Sequence, residues 1–472
     1  MPPPEIDLLA INRGSVTAPA GCGKTHLIAE ALTRHAGPKP ILVLTHTNAG
    51  VVALRGRLDG AGVPAKTYRL STIDGWAMRL IAMFPARSAH IPNLLNLSSP
   101  VTDYPNIRAA AVNLLKAGHV SDVLAASYAR LIVDEYQDCS VRQHGIVAWV
   151  AQTLPTCVLG DRMQAIFGFG MDNLAHWDKD VCSYFPPAGE LATPWRWINA
   201  KSEELGRWLL QVRAKLIRRE PIDLRAAPTA VTLVLLDGTQ DHPKRLVAAR
   251  TRAPGDIGCV LIIGDSTSPD SQRQFASQTP GAVTVEAVDL KDLVLFARQL
   301  DLGAPDALGR IAMFAQSVMT GVGAADLLQR VQSLTKGTAR NPPTDVERTA
   351  LAFLQARTHS AALDLLVEIG KEGGVRAHRP GVLRACIKSL QLCDGSLSFH
   401  EATIRMREQN RLIGRPLPRR AVGSTLLLKG LEAEVAVILD ADKLDARNLY
   451  VAMTRGSKGL TICSSSAVLA PR

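Results

Sequence analysis

A chain of 472 residues has room for roughly three domains at about 150 residues each, and its 47% apolar and 21% charged residues exclude a mainly disordered state. Lys and Arg number 54 against 43 Asp and Glu, a net charge of +11 with a pI near 9.4 that favours a polyanionic partner. Eight scattered cysteines without a CxxC pair or zinc-finger spacing argue against a metal cluster or disulfides. A basic leader and an apolar run of about 18 residues are both lacking, so a cytoplasmic chain with no membrane association is expected.

In chain order, the first third alternates short apolar runs with helical patterns. Residues 41–44, 131–133 and 157–159 read as buried strands, with helices over 25–35 and 49–58. This alternation predicts an α/β fold with a parallel sheet, because parallel strands need crossover helices and carry no polar face. Strand-like runs return at 231–236, 259–263, 435–439 and 460–463, which implies a second α/β domain. Between about 280 and 418 the periodicity turns helical, bounded by Thr279-Pro280-Gly281 and by Gly414 to Pro418. The expected division is a first lobe over 1–190, with a short accessory insertion at about 84–129, and a second lobe over 191–279 and 419–472. The helical insertion would occupy 280–418. Basic runs at Arg213, Lys215, Arg218 and Arg219, and from Arg405 to Arg420, suit either a solvated helix face or an anionic partner.

Ala18-Pro-Ala-Gly-Cys-Gly-Lys-Thr25 sits between an apolar stretch and a helix, where a phosphate cradle would be built. Gly21 and Gly23 let backbone N–H groups turn inward, Lys24 can reach β- and γ-phosphate oxygens, and Thr25 can ligate Mg²⁺. The loop backbone and first helical turn, Ala20, Cys22 and His26 included, are expected to contact nucleotide. Further on, Leu131-Ile-Val-Asp-Glu-Tyr-Gln-Asp138 delivers two adjacent carboxylates to the C-terminal end of a strand, where ligands bind in such sheets. Asp134 suits Mg²⁺, and Glu135 suits orienting and deprotonating an attacking water.

With Asp-Glu-Tyr-Gln-Asp in view, the chain resembles the UvrD/Rep-like group of superfamily 1 DNA helicases, through motifs in family order. Leu44-Thr-His-Thr-Asn-Ala49 and Ser71-Thr-Ile-Asp-Gly-Trp76 are similar to two DNA-contacting motifs, which implies strand contacts from Thr45, His46, Asn48, Thr72 and Trp76. Val158 to Phe169 resembles the motif joining ATP sensing to base stacking, with Gln164 as γ-phosphate sensor and Phe167 and Phe169 as stacking rings. Thr193-Pro-Trp-Arg196 is similar to an element whose ring, here Trp195, faces adenine while Arg196 faces the γ-phosphate. Ser424 to Glu432 looks like the family's glycine-glutamate motif, with Glu432 as a nucleotide contact. Asn448-Leu-Tyr-Val-Ala-Met-Thr-Arg455 is very close to its final arginine motif.

The resemblance implies two RecA-like P-loop NTPase lobes with a helical insertion in the second. It also implies ATP with Mg²⁺, single-stranded or tailed duplex DNA as partner, and 3′ to 5′ movement. Arg196 and Arg455 are expected on the second lobe, facing Lys24 and the acids on the first. Several positions depart from the family pattern: Leu426 and Leu427 stand where His-Lys is usual, His46 where an aromatic is common, Asp74 where His is common, and Gly170 where an Arg often follows. Two further readings fit the same motifs. One is the motor subunit of a helicase-nuclease defence pair of the Gabija type, working with a separate nuclease or loading protein. The other is a nucleotide-gated binder of single strands that never unwinds.

Overall fold

Six strands build the first sheet: β1 (Arg13–Thr17), β2 (Ile41–Thr45), β3 (Tyr68–Thr72), β4 (Leu131–Val133), β5 (Thr156–Gly160) and β6 (Pro187–Glu190). This computed structural model describes residues 6–471 apart from 98, 168–172, 256–257, 288, 394, 396 and 413–417. The strand order is β3-β2-β4-β5-β1-β6 and every ladder is parallel. β2, β4 and β5 are buried throughout because both faces are covered. The period of two divides their side chains: Leu42, Leu44, Leu131, Val133 and Val158 enter one core, and Ile41, Val43, Ile132, Cys157 and Leu159 the other.

Helices α1 (Lys24–Arg34), α2 (Asn48–Gly60), α3 (Ile73–Met83), α4 (Pro85–Ser88), α5 (Pro100–Lys116), α6 (Ser121–Ser127) and α7 (Val141–Val150) form the crossovers. The hydroxyls of Thr47 and Thr72 accept backbone N–H groups at the starts of α2 and α3. A reciprocal capping box of Ser140 and Gln143 starts α7. The expected insertion at about 84–129 is helical, and its apolar residues, Ile107, Leu114 and Leu124 among them, complete the core on one sheet face.

A short pair, β7 (Ile222–Asp223) and β16 (Val468–Leu469), is antiparallel. The second six-stranded sheet contains β8 (Val231–Leu235), β9 (Val260–Ile263), β10 (Val283–Thr284), β13 (Arg420–Gly423), β14 (Ala433–Ile438) and β15 (Gly456–Ser464), in the order β10-β13-β9-β14-β15-β8. Its ladders from β10 through β13 and β9 to β14 are parallel. Between β10 and β13 the chain is helical from Lys291 onward, broken by an antiparallel pair, β11 (Met319–Thr320) with β12 (Arg376–Ala377), and it has its own core around Leu293, Phe353 and Leu366. The two helix-flanked sheets match the two RecA-like lobes that the resemblance implies, and the helical segment between β10 and β13 lies within the second.

The chain divides into two compact units, residues 1–232 with 441–460 and 466–472, and residues 233–440 with 461–465. This partition differs from the lobe limits expected from sequence, because the helices over 195–218 and 446–453 pack with the first sheet. Among the described residues, no helix is long and apolar enough to cross a membrane.

Candidate nucleotide site

β5 runs between β1 and β4, so the phosphate loop, the segment after β5 and the acidic pair emerge side by side from three adjacent strands. Gly21 and Gly23 adopt positive φ of 72° and 87°, which turns the loop into the N-terminus of α1. Both positions are also crowded from outside. A Cβ on Gly21 would stand 2.5 Å from Trp197 Cζ3, and one on Gly23 would stand 3.0 Å from Trp195 Cδ1. The first helical turn of α1 has no side-chain cap, which leaves its donors for an anion.

Lys24 Nζ bridges the acids, 2.9 Å from Asp134 Oδ1 and 2.5 Å from Glu135 Oε1. Burial works against the ammonium, but the two carboxylates outweigh it and hold its pKa above the usual lysine value. For Asp134 burial dominates: its pKa is raised despite Lys24, and the neighbouring Glu135 charge adds to the rise. Glu135 takes a left-handed backbone with φ 55° at the bend between β4 and the 3-10 turn Tyr136–Asp138, a conformation few non-glycine residues adopt. Gln137 Nε2 donates to Glu135 Oε2 at 2.6 Å, while Gln137 Oε1 accepts the Asp161 amide at 3.1 Å.

Asp161, fully buried at the end of β5, collects the next contacts. Gln164 Nε2 donates to its Oδ2 at 3.2 Å and to the Ala18 carbonyl at 3.5 Å. Arg213 forks onto Asp161 through Nε and Nη2, at 3.1 and 2.9 Å, and reaches Glu190 at 2.7 Å. Burial opposes the Arg213 charge, yet the Asp161 carboxylate outweighs it and raises the pKa. Arg213 therefore does not face solvent with the basic run to which its sequence assigns it. The signal was present: Leu205, Leu209, Val212 and Leu216 make the buried stripe of the helix Glu203–Arg218, and Arg213 falls on that stripe. Gln137, Asp161 and Tyr450 carry no pattern in the sequence that marks them as part of the site.

Arg196 is joined to the phosphate loop through its backbone N–H, which donates to the Gly21 carbonyl at 3.0 Å. Its guanidinium donates to the Thr454 carbonyl at 2.7 Å and sits 5.3 Å from the centre of the Trp197 ring. Arg455 is buried, with Nε on the Val451 carbonyl at 2.8 Å and Nη2 on Thr454 Oγ1 at 3.1 Å. Tyr450, on the same helix Ala446–Met453, accepts the Ala20 amide at 3.2 Å. Lys24, the acids, Arg196 and Arg455 thus share one compact unit, and the expected placement of both arginines on a separate lobe does not describe this partition. Glu432 precedes β14 in the other unit.

Thr25 Oγ1 accepts from Arg57 Nη1 at 3.0 Å, and His26 is exposed on the first turn of α1. Cys22 is buried and donates its thiol to the Ala20 carbonyl at 3.8 Å. Among the described residues no group of three or more His, Cys, Asp or Glu could hold a metal. Mg²⁺ does not need one, since it takes one or two protein oxygens and completes its shell with water and substrate phosphates. The hard oxygens of Thr25 and Asp134, with a buried cation already beside Asp134, fit that pattern.

The expected strand contacts are mixed. His46 and Phe167 face each other at 5.7 Å with planes tilted by 50°. Asn48 is exposed at the start of α2, whereas Thr45 is buried. Thr72 spends its hydroxyl on the Gly75 amide at 2.9 Å. Trp76 is 4% exposed and packs in the core with Leu42 and Ile73, so packing and not base contact accounts for its ring. Phe169 and Gly170 fall outside the described residues. Asp74, where the family pattern favours His, accepts Arg108 Nε and Nη2 at 2.7 and 2.6 Å and Gln143 Nε2 at 3.1 Å, tying α3 to α5 and α7.

Residues 93–177 match the UvrD/REP helicase N-terminal domain family. The matched segment carries Asp134, Glu135 and Gln164, so the resemblance to UvrD/Rep-like superfamily 1 helicases holds where the acidic pair is built. No curated protein matches the chain. Among solved structures, an arterivirus nonstructural protein 10, a helicase in complex with DNA, is 10% identical over 96% of this chain and 60% of its own, with a TM-score of 0.36. The Pif1 helicase from Candida albicans is 13% identical over 97% of this chain and 92% of its own, with a TM-score of 0.39. The chain therefore spans 60% of the length of the arteriviral helicase.

Proposed function

We propose that the protein is an ATP-dependent DNA helicase or single-strand translocase moving 3′ to 5′. The supporting observation is that Lys24 of a phosphate loop bridges an acidic pair, while Arg196 bonds Gly21 of that loop through its backbone and Thr454, beside Arg455, through its guanidinium. In this reading Lys24 exchanges the carboxylates for the β- and γ-phosphates of ATP. The exchange releases Glu135 Oε1 from the ammonium to accept a proton from the attacking water, a role worth about 10²- to 10⁴-fold in rate. Thr25 and Asp134 hold Mg²⁺, which when bound neutralises charge on the phosphate oxygens.

The Arg196 guanidinium bonds the Thr454 carbonyl, and that of Arg455 bonds the Val451 carbonyl and the Thr454 hydroxyl. A phosphate oxygen is the better acceptor, since charge-assisted hydrogen bonds are roughly twice as strong as neutral ones. Each arginine can therefore turn from Thr454 or Val451 to the γ-phosphate, where such a cation is worth about 10³- to 10⁵-fold. Loss of that phosphate reverses the turn. The relay Glu135–Gln137–Asp161–Gln164 then carries the phosphate state toward Phe167, three residues beyond Gln164 and in tilted contact with His46. Bases of a single strand stack on such rings at about 1–3 kcal/mol each.

Strand displacement tests the reading. With ATP and Mg²⁺, a duplex with a 3′ single-stranded tail is unwound and one with a 5′ tail is not. Absence of both displacement and directional movement on either substrate would contradict the proposal.

A further inference from the structure

A cavity of about 650 Å³ opens at the β3 edge of the first sheet, within the range of about 300–1,000 Å³ usual for small-molecule sites. Pro40, Ala65 and Tyr128, which precede β2, β3 and β4, line it, so it opens toward the N-terminal ends of the strands. The phosphate loop follows the C-terminal end of β1, three strands away across β2, β4 and β5. The cavity is separate from the nucleotide site already described.

Its wall is cationic. Arg55 of α2, Arg69 of β3 and Arg79 of α3 all contribute, and the lining contains no carboxylate. The pairing Leu42 with Arg69 and Leu44 with Ser71 puts Arg69 and Ser71 on the face shared with α3. Arg79 Nη2 donates to Ser71 Oγ at 2.7 Å, and Arg69 Nη1 donates to the Tyr68 carbonyl at 2.9 Å. Both guanidinia are thus oriented by neutral acceptors, and most of their five donors each remain for another partner. Among the described residues none of the three arginines makes an ion pair. Three guanidinium forks, two of them oriented and none with a counter-charge among the described residues, suit the oxygens of a phosphate, which guanidinium binds bidentately. Tyr128, half-buried, and the exposed Ala65 add an apolar and aromatic portion beside the arginines, against which a base can lie.

We propose that this cavity, lined by Arg55, Arg69 and Arg79, binds a nucleoside phosphate, either free or as the phosphorylated end of a strand. The proposal does not depend on the helicase reading. The test uses the full chain carrying Lys24→Ala, which disables the phosphate loop, and follows binding of AMP, inorganic phosphate, and a short oligonucleotide with a 5′-phosphate or a 5′-hydroxyl by calorimetry. Saturable AMP binding is expected, weakened about tenfold or more by Arg69→Ala with Arg79→Ala, as loss of charged hydrogen bonds implies. Arg55→Ala, whose side chain is exposed, gives a smaller loss in the same direction without a folding risk. Binding of the oligonucleotide at least tenfold tighter with the 5′-phosphate assigns the site to strand ends, and equal oligonucleotide binding assigns it to free nucleotide. No saturable binding of any probe, or affinities unmoved by all three arginine substitutions, would overturn the proposal. ATP hydrolysis by the arginine variants on the Lys24 background of the native chain stays at the native rate, which separates this outcome from any failure at the phosphate loop.

Discussion

The Tyr450 hydroxyl accepts the backbone N–H of Ala20 at 3.2 Å and so fastens the C-terminal arginine helix to the phosphate loop, across 430 positions of sequence. Tyr450 is 1% exposed, and burial, with Asp161 nearby, keeps the hydroxyl protonated far above the ordinary tyrosine range. Tyr450→Phe removes the acceptor and leaves a buried amide without that partner. The expected cost is about 1–3 kcal/mol in unfolding free energy, read from urea denaturation, with weaker nucleotide binding. An unchanged midpoint with unchanged affinity would show the contact to be idle.

Gly21→Ala combines two penalties. Its φ of 72° disfavours any side chain, and the new Cβ would meet Trp197 Cζ3 at 2.5 Å and Arg196 Cβ at 3.0 Å. The indole cannot retreat without giving up the bond from Trp197 Nε1 to the Gly456 carbonyl at 3.0 Å. Nucleotide affinity is expected to fall by more than tenfold, accompanied by a shift of tryptophan emission. Native emission with native affinity would show that the loop tolerates the methyl group.

Asp74 predicts a test of the departure from the family pattern. Its carboxylate and the Arg108 guanidinium are largely buried, with side-chain exposures of 16% and 14%. Asp74→His restores the common residue but takes from Arg108 its bidentate carboxylate, and removing one member of such a pair costs about 3 kcal/mol or more. Denaturant unfolding measures the loss, and Asp74→His combined with Arg108→Leu recovers much of it.

His378, 4% exposed in the unit that contains β9, gives a pH signature. Burial, and after it the charges of Arg379, Arg376 and Arg273, lowers its pKa from 6.5 to about 4. Between those values the unfolded chain binds more protons than the native one, so stability rises with pH across the window and is lost as pH falls through it. His378→Gln is expected to flatten the dependence of unfolding free energy on pH between 6.5 and 4, and a slope equal to that of the native chain would refute the assignment.

What was legible in sequence follows from chemistry that fixes residue types. Phosphate binding demands glycines and a lysine at set spacing, so Gly21, Gly23 and Lys24 could be read, and so could the acids after the buried run of β4. Central strands β2, β4, β5 and β9 are apolar on both faces and stood out. Edge or short strands did not: β3 is half exposed, β6 reads Pro-Ala-Gly-Glu, and β10 has two residues. The partners of Asp161 and Tyr450 depend on tertiary packing between segments distant in sequence, and no local pattern encodes such meetings. Trp76 shows the ambiguity of an aromatic in a motif: the same residue type serves packing or base contact, and here its ring packs in the core.

The central claim is that Lys24, Asp134 and Glu135 form a hydrolytic site answering to a single strand. Steady-state ATP hydrolysis, with and without single-stranded DNA, by the native chain and by Glu135→Gln tests it most directly. The account predicts DNA-stimulated turnover in the native chain and a loss of about 10²-fold or more in Glu135→Gln, with nucleotide binding kept. Equal turnover by the two proteins, or a native rate indifferent to DNA, would contradict it.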